Sequence, residues 1–262
     1  MDSAGAARQP AGTRRMSVRP RTAMLLAAGL GTRMRPLTEA TAKPLLPLGG
    51  RSLLDHGLDR LRDAGVESVV VNAHWRAERV AGRLDARAAT GEGPRTVLRT
   101  EEKLLETGGA VCAALPLLGP DPFYVVNGDA FWVDGPRPAL ARMADAFRPG
   151  EVDAVLLVHR TFQVQAETGL GDFALDPWGA PRRPREREVV PYIYAGVQLA
   201  APALLDGAPP GAFSMNLLWD RAIAAGRLRA VVHDGLWFHL STPADLAEAE
   251  SFLQIRAIGA AR

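Results

Sequence analysis

The stretch MLLAAGLGTRMRPLTEATAKPLLPLGG, residues 24–50, begins with a hydrophobic run that leads directly into a glycine loop. Nucleotide-binding strands end in this way, but this loop departs from two familiar patterns. Met34 stands where a dinucleotide-binding G-x-G-x-x-G motif has its third glycine, and Pro36 stands where that motif begins a helix. A Walker A loop ends in Gly-Lys-Ser/Thr, which Gly31-Thr32-Arg33 does not match. The stretch therefore matches neither the dinucleotide-binding motif nor the Walker A motif.

The chemistry of this loop suits a polyphosphate. The loop offers successive backbone N–H groups, the Thr32 hydroxyl and the guanidinium groups of Arg33 and Arg35. Backbone amides and arginine forks are good ligands for phosphate oxygens. A tight turn with solvated arginines is the alternative, and the loop by itself leaves that alternative open.

Lys43, at the far end of the same stretch, favours the phosphate interpretation. The chain contains 29 Arg and only two Lys, so this composition supplies Arg wherever any cation would serve. An ammonium is a compact point charge that the planar guanidinium cannot imitate, and it suits the close approach to one phosphate oxygen. The alternative is that Lys43 is simply one of two surface lysines.

Outside this stretch, short apolar runs alternate with helical patterns through the first two-thirds of the chain. The predicted strands are residues 23–28, 66–73, 96–100, 122–129 and 152–159. The predicted helices between them are residues 53–64, 77–88, 108–117 and 137–147. This order predicts an α/β fold, with a Rossmann-like, mostly parallel central sheet and helices on both faces. Ligands bind at the carboxyl ends of such strands, so the Gly29 loop and the Asn127-Gly128-Asp129 turn should share one edge.

The pattern changes after residue 165, where strands are joined by turn-rich loops. We expect a small antiparallel excursion that walls one side of the cleft, with the run RRPRERE at 182–188 as a solvated loop. A helix over 215–225 with Ser214 as its N-cap, and a last helix from Pro243 to about Leu253, complete the prediction. The expected organisation is a disordered basic tail over 1–22, a single domain over 23–255 and a C-terminal tail over 256–262.

Charge and composition exclude several classes of function. The first 22 residues carry five Arg and one Asp, which leaves 26 basic and 28 acidic residues in the rest of the chain. A nearly neutral body argues against nucleic acid as the main partner. We expect no signal peptide and no membrane-spanning segment. The single cysteine, Cys112, permits no internal disulfide and suits a reducing cytoplasm.

Several motifs together resemble one enzyme family. GLGTRMRPLTEATAKP resembles the G-x-G-T-R…K-P signature of the sugar-1-phosphate nucleotidylyltransferases. The resemblance continues through Glu106–Gly109, Val126–Asp129 and Tyr194–Val197 to the terminal WFHLSTPADLAEAE. Within the family, LLETGG, VVNAHW and the compact length are most similar to the N-acetylmuramate-1-phosphate uridylyltransferases of cell-wall recycling.

The resemblance implies a nucleotidyltransferase fold and a reaction between two small molecules. A sugar-1-phosphate attacks a nucleoside triphosphate, which is UTP in the favoured interpretation, and pyrophosphate is released. Mannose-1-phosphate with GTP is an alternative pair, and a nucleotide-sugar-binding regulatory protein without turnover is an alternative of another class. The sequence makes no prediction of the oligomeric state.

The resemblance also implies a role for individual residues. Arg33, Lys43 and Asp129 would be catalytic, and Asp129 would hold Mg²⁺. The implied nucleotide-binding residues are Ala27, Ala28, Gly29, Gly31, Thr32, Arg33, Lys43, Thr107, Gly108 and Gly109. The implied sugar-binding residues are Asn72, Asp172, Glu188, Gly196 and Asn216. Gly108 and Gly109 also suit a plain loop, and Asp172 also suits the start of a strand.

One position departs from the family. His239 stands where the family usually has a second metal-binding aspartate in a Trp-x-Asp-x-Gly-Thr segment. Histidine is a poor ligand for Mg²⁺ and a better one for Mn²⁺. Three alternatives follow. Asp129 and phosphate oxygens hold Mg²⁺ with water while His239 helps indirectly, or the metal preference shifts towards Mn²⁺ with His239 as a ligand, or catalysis is reduced.

Overall fold

The computed structural model of the protein describes residues 18–164 and 169–260. Most of the predicted basic tail, residues 1–17, lies outside the described residues. The strands are β1 (Thr22–Leu26), β2 (Pro47–Leu48), β3 (Arg51–Ser52), β4 (Ser68–Ala73), β5 (Arg95–Thr100), β6 (Phe123–Asn127), β7 (Phe131–Val133), β8 (Ala154–Arg160), β9 (Ala174–Leu175), β10 (Pro181–Arg182), β11 (Tyr192–Ala200), β12 (Leu228–Val232) and β13 (Leu236–Phe238). The helices are α1 (Leu53–Asp63), α2 (Ala77–Ala89), α3 (Glu106–Leu118), α4 (Ala139–Ala146), α5 (Asn216–Ala224) and α6 (Pro243–Ala260).

A seven-stranded sheet in the order β12-β8-β11-β6-β1-β4-β5 forms the centre of the molecule. Strand β1 pairs in parallel with both β4 and β6, β4 with β5, and β8 with β12. Strand β11 is antiparallel to both of its neighbours, β6 and β8. The prediction of a mostly parallel central sheet is therefore confirmed.

Helices cover both faces of this sheet because successive side chains of each strand point to opposite faces. On one face, Leu25 of β1 packs in a cluster with residues of α1, α2 and α4. On the other face, Met24 packs in a cluster with residues of α3 and α5. Both core clusters consist of apolar side chains that are almost completely buried.

Helix α6 packs outside these two layers. Leu246 and Ala249 of α6 join Met34, Leu48 and Phe131 in a third cluster, which links α6 to the short strand pairs β2–β3 and β7–β13. The N-terminus of α6 has reciprocal bonds, from Thr242 N to Asp245 Oδ2 (2.7 Å) and from Asp245 N to Thr242 Oγ1 (3.3 Å). These contacts bring the segment that contains His239 towards the glycine loop.

The structure corrects three details of the predicted architecture. The region after residue 165 does not lie wholly outside the central sheet. Strand β11 enters the central sheet between β6 and β8, and only β9 and β10 form a separate small hairpin. Met215, and not Ser214, is the N-cap of α5, although the Ser214 hydroxyl accepts a hydrogen bond from Asn216 N. Helix α6 continues past Leu253 to Ala260.

None of the helices in the described ranges is long and apolar enough to cross a membrane.

Candidate active site

The carboxyl ends of three neighbouring strands meet in one row. Leu26, the last residue of β1, is in register with Asn72 of β4 on one side and with Asn127 of β6 on the other. Gly128 follows, and its N–H donates to Leu26 O at 2.8 Å. A Cβ at Gly128 would lie 2.6 Å from Leu26 O, so only glycine permits this approach. The glycine loop after β1 and the Asp129 turn after β6 therefore share one edge, as the sequence predicts.

The glycine loop presents unpaired backbone donors. Within the described part of the chain, the N–H groups of residues 29–33 have no hydrogen-bond acceptor. Gly31 has a φ of 61°, and the Thr38 hydroxyl donates to its carbonyl at 2.7 Å. Arg33 is exposed and has no ion-pair partner among the described residues. A run of free N–H groups beside an unpaired guanidinium suits an anion such as a phosphate.

Lys43 and Asp129 are paired across this edge. Lys43 Nζ lies 2.6 Å from Asp129 Oδ2, and the exposed fractions of the two side chains are 12% and 40%. Lys43 begins a short 3₁₀ helix, residues Lys43–Leu45, which is held by its buried Pro44. The structure thus brings together two of the three predicted catalytic residues, although 86 positions separate them along the chain.

A pocket of about 340 Å³ opens beside this pair. Of the predicted nucleotide-binding residues, its lining includes Ala27, Ala28, Gly29, Gly31, Lys43 and Thr107. Asp129 also lines it. Thr32 and Arg33 lie on the loop beyond the lining. We name this space the first pocket.

Asn72 lies in the first pocket and not with the other residues predicted to bind the sugar. Asn72 Oδ1 accepts from Ala27 N at 2.8 Å, and Asn72 Nδ2 donates to Glu101 Oε1 at 2.7 Å. Glu101 Oε2 accepts from Leu105 N at 3.1 Å. Both side chains are almost fully buried, because their polar atoms are satisfied by one another and by the backbone. Asn72 therefore fixes the wall of the first pocket.

Glu101 is a residue of this site that the sequence reasoning missed. It directly follows β5, at the same edge of the sheet as Asp129, and it lines the first pocket. A carboxylate at the carboxyl end of a parallel strand is the signal that could have identified it.

Gly108 and Gly109 pack against Phe213 and Gly211 and do not line the first pocket. Their N–H groups both donate to Phe213 O, at 2.9 and 3.2 Å. A Cβ at Gly108 would lie 2.3 Å from a ring carbon of Phe213, and a Cβ at Gly109 would lie 2.2 Å from Gly211 O. The close approach of the segment before α5 is thus sufficient to explain both glycines.

A second pocket of about 230 Å³ adjoins the first, and the two share Leu26, Thr107 and Asn127 in their linings. Asp172 and Asn216, two of the residues predicted to bind the sugar, line the second pocket. Its wall also contains Tyr194, Gln198 and Trp219, which the sequence reasoning did not identify. We name this space the second pocket.

Two aromatic rings and a glutamine form one wall of the second pocket. The rings of Tyr194 and Trp219 meet edge to face at 4.6 Å between centroids, and Trp219 Nε1 donates to Gln198 Oε1 at 2.8 Å. Burial and the charge of Asp129 raise the pKa of Tyr194, so its hydroxyl stays protonated. An apolar face with a few fixed polar groups is typical of a small-molecule site. The polar Gln198 in an otherwise apolar strand is the signal that could have identified this wall.

The structure does not bring Gly196 and Glu188 to the lining of the second pocket. Gly196 is buried at a bulge of β11 with a φ of 80°, where a Cβ would lie 3.0 Å from Ala130 Cβ. Glu188 forms two bonds to the guanidinium of Arg182, at 2.6 and 2.7 Å. These bonds hold the 182–188 loop together, and they occupy the carboxylate that was expected to face the sugar.

His239 lies within electrostatic reach of the three predicted catalytic residues. Burial lowers its pKa below the ordinary value, the positive charges of Arg33 and Lys43 add to this effect, and the charges of Asp245 and Asp129 oppose it. His239 Nε2 lies 2.7 Å from Ser241 Oγ. His239 is therefore neutral near pH 7.

Asp129 suits a metal ion that is held jointly with substrate phosphates. Within residues 18–164 and 169–260, no group of three or more His, Cys, Asp or Glu side chains could form a complete metal cage. Mg²⁺ is commonly bound through one or two carboxylates together with water and phosphate oxygens. The half-exposed Asp129 carboxylate, at the mouth of the first pocket, fits this mode.

A larger cavity of about 690 Å³ lies at the opposite, amino-terminal edge of the sheet. It contains none of the predicted site residues. Several of its charged residues are paired with one another, as Arg60 is with Asp134 and Arg21 with Glu67. This cavity is therefore set apart from the chemistry at the carboxyl edge.

A mostly parallel sheet whose carboxyl edge holds a loop of free backbone N–H groups, a lysine–aspartate pair and two adjoining pockets matches one class of enzyme. The chain belongs to the nucleotidyl transferase family, whose sequence model matches residues 22–171.

Particular relatives extend this similarity over most of the chain. An N-acetylmuramate alpha-1-phosphate uridylyltransferase from Caulobacter vibrioides is 41% identical over 239 residues, which are 91% of this chain and 99% of the relative. A protein of the same name from Neisseria meningitidis serogroup B is 33% identical over 232 residues, 87% of this chain and 96% of the relative.

Solved structures share the fold at lower identity. A UDP-glucose pyrophosphorylase complexed with UDP-glucose superposes with a TM-score of 0.75 at 16% identity, over 90% of this chain and 99% of that chain. The inositol-1-phosphate CTP transferase from T. maritima gives a TM-score of 0.73 at 18% identity, over 90% of this chain and 97% of that chain. The nucleotidyltransferase fold predicted from the sequence is thereby confirmed.

Proposed function

We propose that this chain transfers the uridylyl group of UTP to N-acetylmuramate 1-phosphate, with release of pyrophosphate. Two relatives with this activity in their names match nearly their whole length, at 41% and 33% identity. The observation that carries the proposal is the position of the Lys43–Asp129 pair beside the first pocket, which shares Leu26, Thr107 and Asn127 with the second pocket. Two substrates bound in these pockets meet beside that pair.

The reaction is an in-line attack of an oxygen of the sugar phosphate on the α-phosphorus of UTP. A new P–O bond forms, the bond from the α-phosphorus to the bridging oxygen breaks, and pyrophosphate leaves with the electron pair. A phosphate monoester has a second pKa of about 6 and is largely ionised near pH 7, so no side chain has to remove a proton. Catalysis then depends on the position of the substrates and on compensation of their negative charge.

The residues at the carboxyl edge supply both effects. The free N–H groups of residues 29–33 and the Arg33 guanidinium hold the β- and γ-phosphates that leave as pyrophosphate. Lys43 compensates the charge that develops at the α-phosphorus. The second pocket positions the sugar against Tyr194 and Trp219, with Asp172 and Asn216 as polar contacts.

Asp129 would hold Mg²⁺ together with phosphate oxygens of UTP. When bound, Mg²⁺ supplies additional positive charge to the triphosphate. In the structure Lys43 contacts Asp129 Oδ2, and we infer that Lys43 turns from Asp129 towards the α-phosphate when the nucleotide binds. We include in this proposal a cytoplasmic location and a role in the recycling of cell-wall amino sugars.

Pyrophosphate release from the purified protein tests the proposal. The assay combines each of the four ribonucleoside triphosphates with N-acetylmuramate 1-phosphate, N-acetylglucosamine 1-phosphate or mannose 1-phosphate, in Mg²⁺ or in Mn²⁺. We expect the highest kcat/KM for UTP with N-acetylmuramate 1-phosphate. Asp129→Asn should lose this activity, whereas Asp121→Asn, an exposed carboxylate before β6 at the opposite edge, should keep it.

Two outcomes would overturn the proposal. Release of pyrophosphate only with GTP and mannose 1-phosphate would show that these two molecules, and not UTP and N-acetylmuramate 1-phosphate, are the substrates. Binding of UTP without release of pyrophosphate from any pair would favour the regulatory, non-catalytic alternative. A higher rate in Mn²⁺ than in Mg²⁺ would leave the reaction in place and favour a shifted metal preference.

A further inference from the structure

The proposed acceptor carries a second anion besides its phosphate. N-Acetylmuramate differs from N-acetylglucosamine by a lactyl ether, which ends in a carboxylate. The described lining of the second pocket contains one charged side chain, Asp172, which is itself a carboxylate. An acidic acceptor therefore requires a cation from just outside this lining.

Arg183 is a cation fixed to the wall of the second pocket. Its Nη2 donates to Asn216 Oδ1 at 2.8 Å, and its Nε donates to Asp220 Oδ1 at 2.7 Å. Its guanidinium carbon lies 4.6 Å from the centroid of the buried Phe173 ring, directly after Asp172. Two hydrogen bonds and a ring contact thus hold the guanidinium in one orientation.

The fixed guanidinium retains donors for a ligand. A guanidinium carries five N–H donors, and Arg183 Nη1 donates to no acceptor in the described part of the chain. The exposed fraction of the Arg183 side chain is 30%, so these donors remain accessible. A planar guanidinium fork matches the geometry of a carboxylate.

Arg183 differs in this respect from the other arginines of the 182–188 run. Arg182 is occupied by two bonds to Glu188. The side chains of Arg185 and Arg187 are exposed and make no hydrogen bond or ion pair with the described residues. The interpretation of the whole run as a solvated loop is therefore wrong for Arg183.

We propose that Arg183 binds the lactyl carboxylate of the acceptor and is the residue that gives specificity for an acidic sugar. This inference rests on the proposed function. Asn216 and Asp220 of α5, together with Phe173, orient the guanidinium, while the acceptor phosphate lies at the junction of the two pockets. The carboxylate of the acceptor thus has a cationic partner of its own, Arg183, which is separate from the groups that bind the phosphates.

The test compares two acceptors that differ in this charge and in one added methyl group. These are N-acetylmuramate 1-phosphate and its lactyl methyl ester, which keeps the bulk and the phosphate. We expect the wild-type protein to have a KM for the acid that is roughly 10- to 100-fold lower than for the ester, the range for a hydrogen bond to a charged group. Arg183→Gln should raise the KM for the acid much more than the KM for the ester, so that the preference for the acid is lost.

Arg185→Gln is the matched control because it removes one charge from the same loop at a position without such contacts. It should retain the wild-type preference. Equal losses of Arg183→Gln with the acid and the ester would show that Arg183 contacts the phosphate or supports the fold, and would overturn the inference. An unchanged preference in Arg183→Gln would overturn it as well.

Calorimetric binding of the acid separates this inference from the proposed function. If the wild-type protein shows no turnover but binds the acid more tightly than Arg183→Gln does, the inference stands and the proposed reaction falls. If the wild-type protein neither turns over nor binds the acid, both fall.

Discussion

Single residues decide the chemistry at the carboxyl edge, and Lys43 is the clearest example. In a chain of 29 Arg and two Lys, the lysine that pairs with Asp129 occupies a confined position. Its side chain is only 12% exposed, and a Cβ on Gly31 would lie 3.2 Å from Lys43 Cβ. A guanidinium is wider than an ammonium and spreads its charge over a planar fork, so it cannot approach one phosphate oxygen as closely as the compact ammonium does.

We therefore predict that Lys43→Arg lowers kcat by roughly 10²- to 10³-fold, the cost of removing one donor that stabilises a transition state, although the charge is kept. The measurement is pyrophosphate release at saturating UTP and acceptor. Lys103→Arg is the control because Lys103 is exposed and is the only other lysine in the sequence. Wild-type turnover in Lys43→Arg would refute the argument from composition.

At the level of elements, two glycines of helix α3 satisfy a packing constraint that the sequence does not reveal. The sequence suggests that Gly108 and Gly109 make room for a nucleobase. In the structure the same glycines make room for Phe213 and Gly211, more than 100 positions further along the chain. Residue spacing does not reveal which neighbour a glycine approaches, because the neighbour is set by tertiary contacts.

Gly108→Ala tests this interpretation. Its Cβ would lie 2.3 Å from the Phe213 ring and 2.9 Å from Phe213 O, so α3 and the segment before α5 must separate. We expect a loss of about 1–3 kcal/mol in the free energy of unfolding, measured by urea denaturation.

Gly82→Ala in α2 is the matched control for Gly108→Ala. Gly82 is exposed and helical, and an added Cβ would meet nothing within 4 Å. It should stabilise the protein by about 0.4–1 kcal/mol, because alanine restricts the unfolded chain. If Gly108→Ala behaved like Gly82→Ala, the close packing against Phe213 would be contradicted.

Local sequence predicts some parts of the fold, whereas contacts between distant segments determine the rest. Apolar runs and caps predict β1, β4, β5, β6, β8 and helices α1 to α4 within a few residues, since these signals are local. The insertion of β11 between β6 and β8 depends on pairing between distant segments, and so does the position of Asn72 beside Glu101. The positions of the glycine loop, Lys43 and Asp129 at one edge were predictable from the sequence. The loop directly follows β1, Asp129 lies in the turn that follows β6, and Lys43 lies a few residues beyond the loop.

The stability of the whole molecule should depend on pH through two buried histidines. His159 and His233 lie with their ring centroids 5.9 Å apart, and Nδ1 of each is buried without a hydrogen-bond partner in the described residues. Burial lowers the pKa of His159 to about 4, and the charges of His233 and Arg160 contribute. Burial also lowers the pKa of His233. Both side chains are therefore neutral in the folded protein near pH 7.

We predict that the free energy of unfolding decreases as the pH falls from about 6.5 to about 4. In this window the unfolded state binds protons that the folded state excludes, so the stability contributed by neutral His159 is present above the window and lost within it. The full loss from His159 is roughly 3 kcal/mol. Urea denaturation across the window measures it, and His159→Phe should flatten the dependence. A wild-type stability that stayed constant over this range would contradict the prediction.

The contacts between α3 and the segment before α5 also restrict how the enzyme can change its substrates. Phe213 N donates to Leu105 O, Met215 N donates to Thr107 Oγ1, and Phe213 O accepts from Gly108 and Gly109. Through these bonds the wall of the first pocket and the wall of the second are built as one piece. Substitutions that reshape the wall of the first pocket for a different base will therefore also displace Ser214 and Asn216 in the wall of the second pocket. With the base in the first pocket and the sugar in the second, as proposed above, base preference and sugar preference form a single trait, and a new pair of substrates calls for concerted substitutions in both segments.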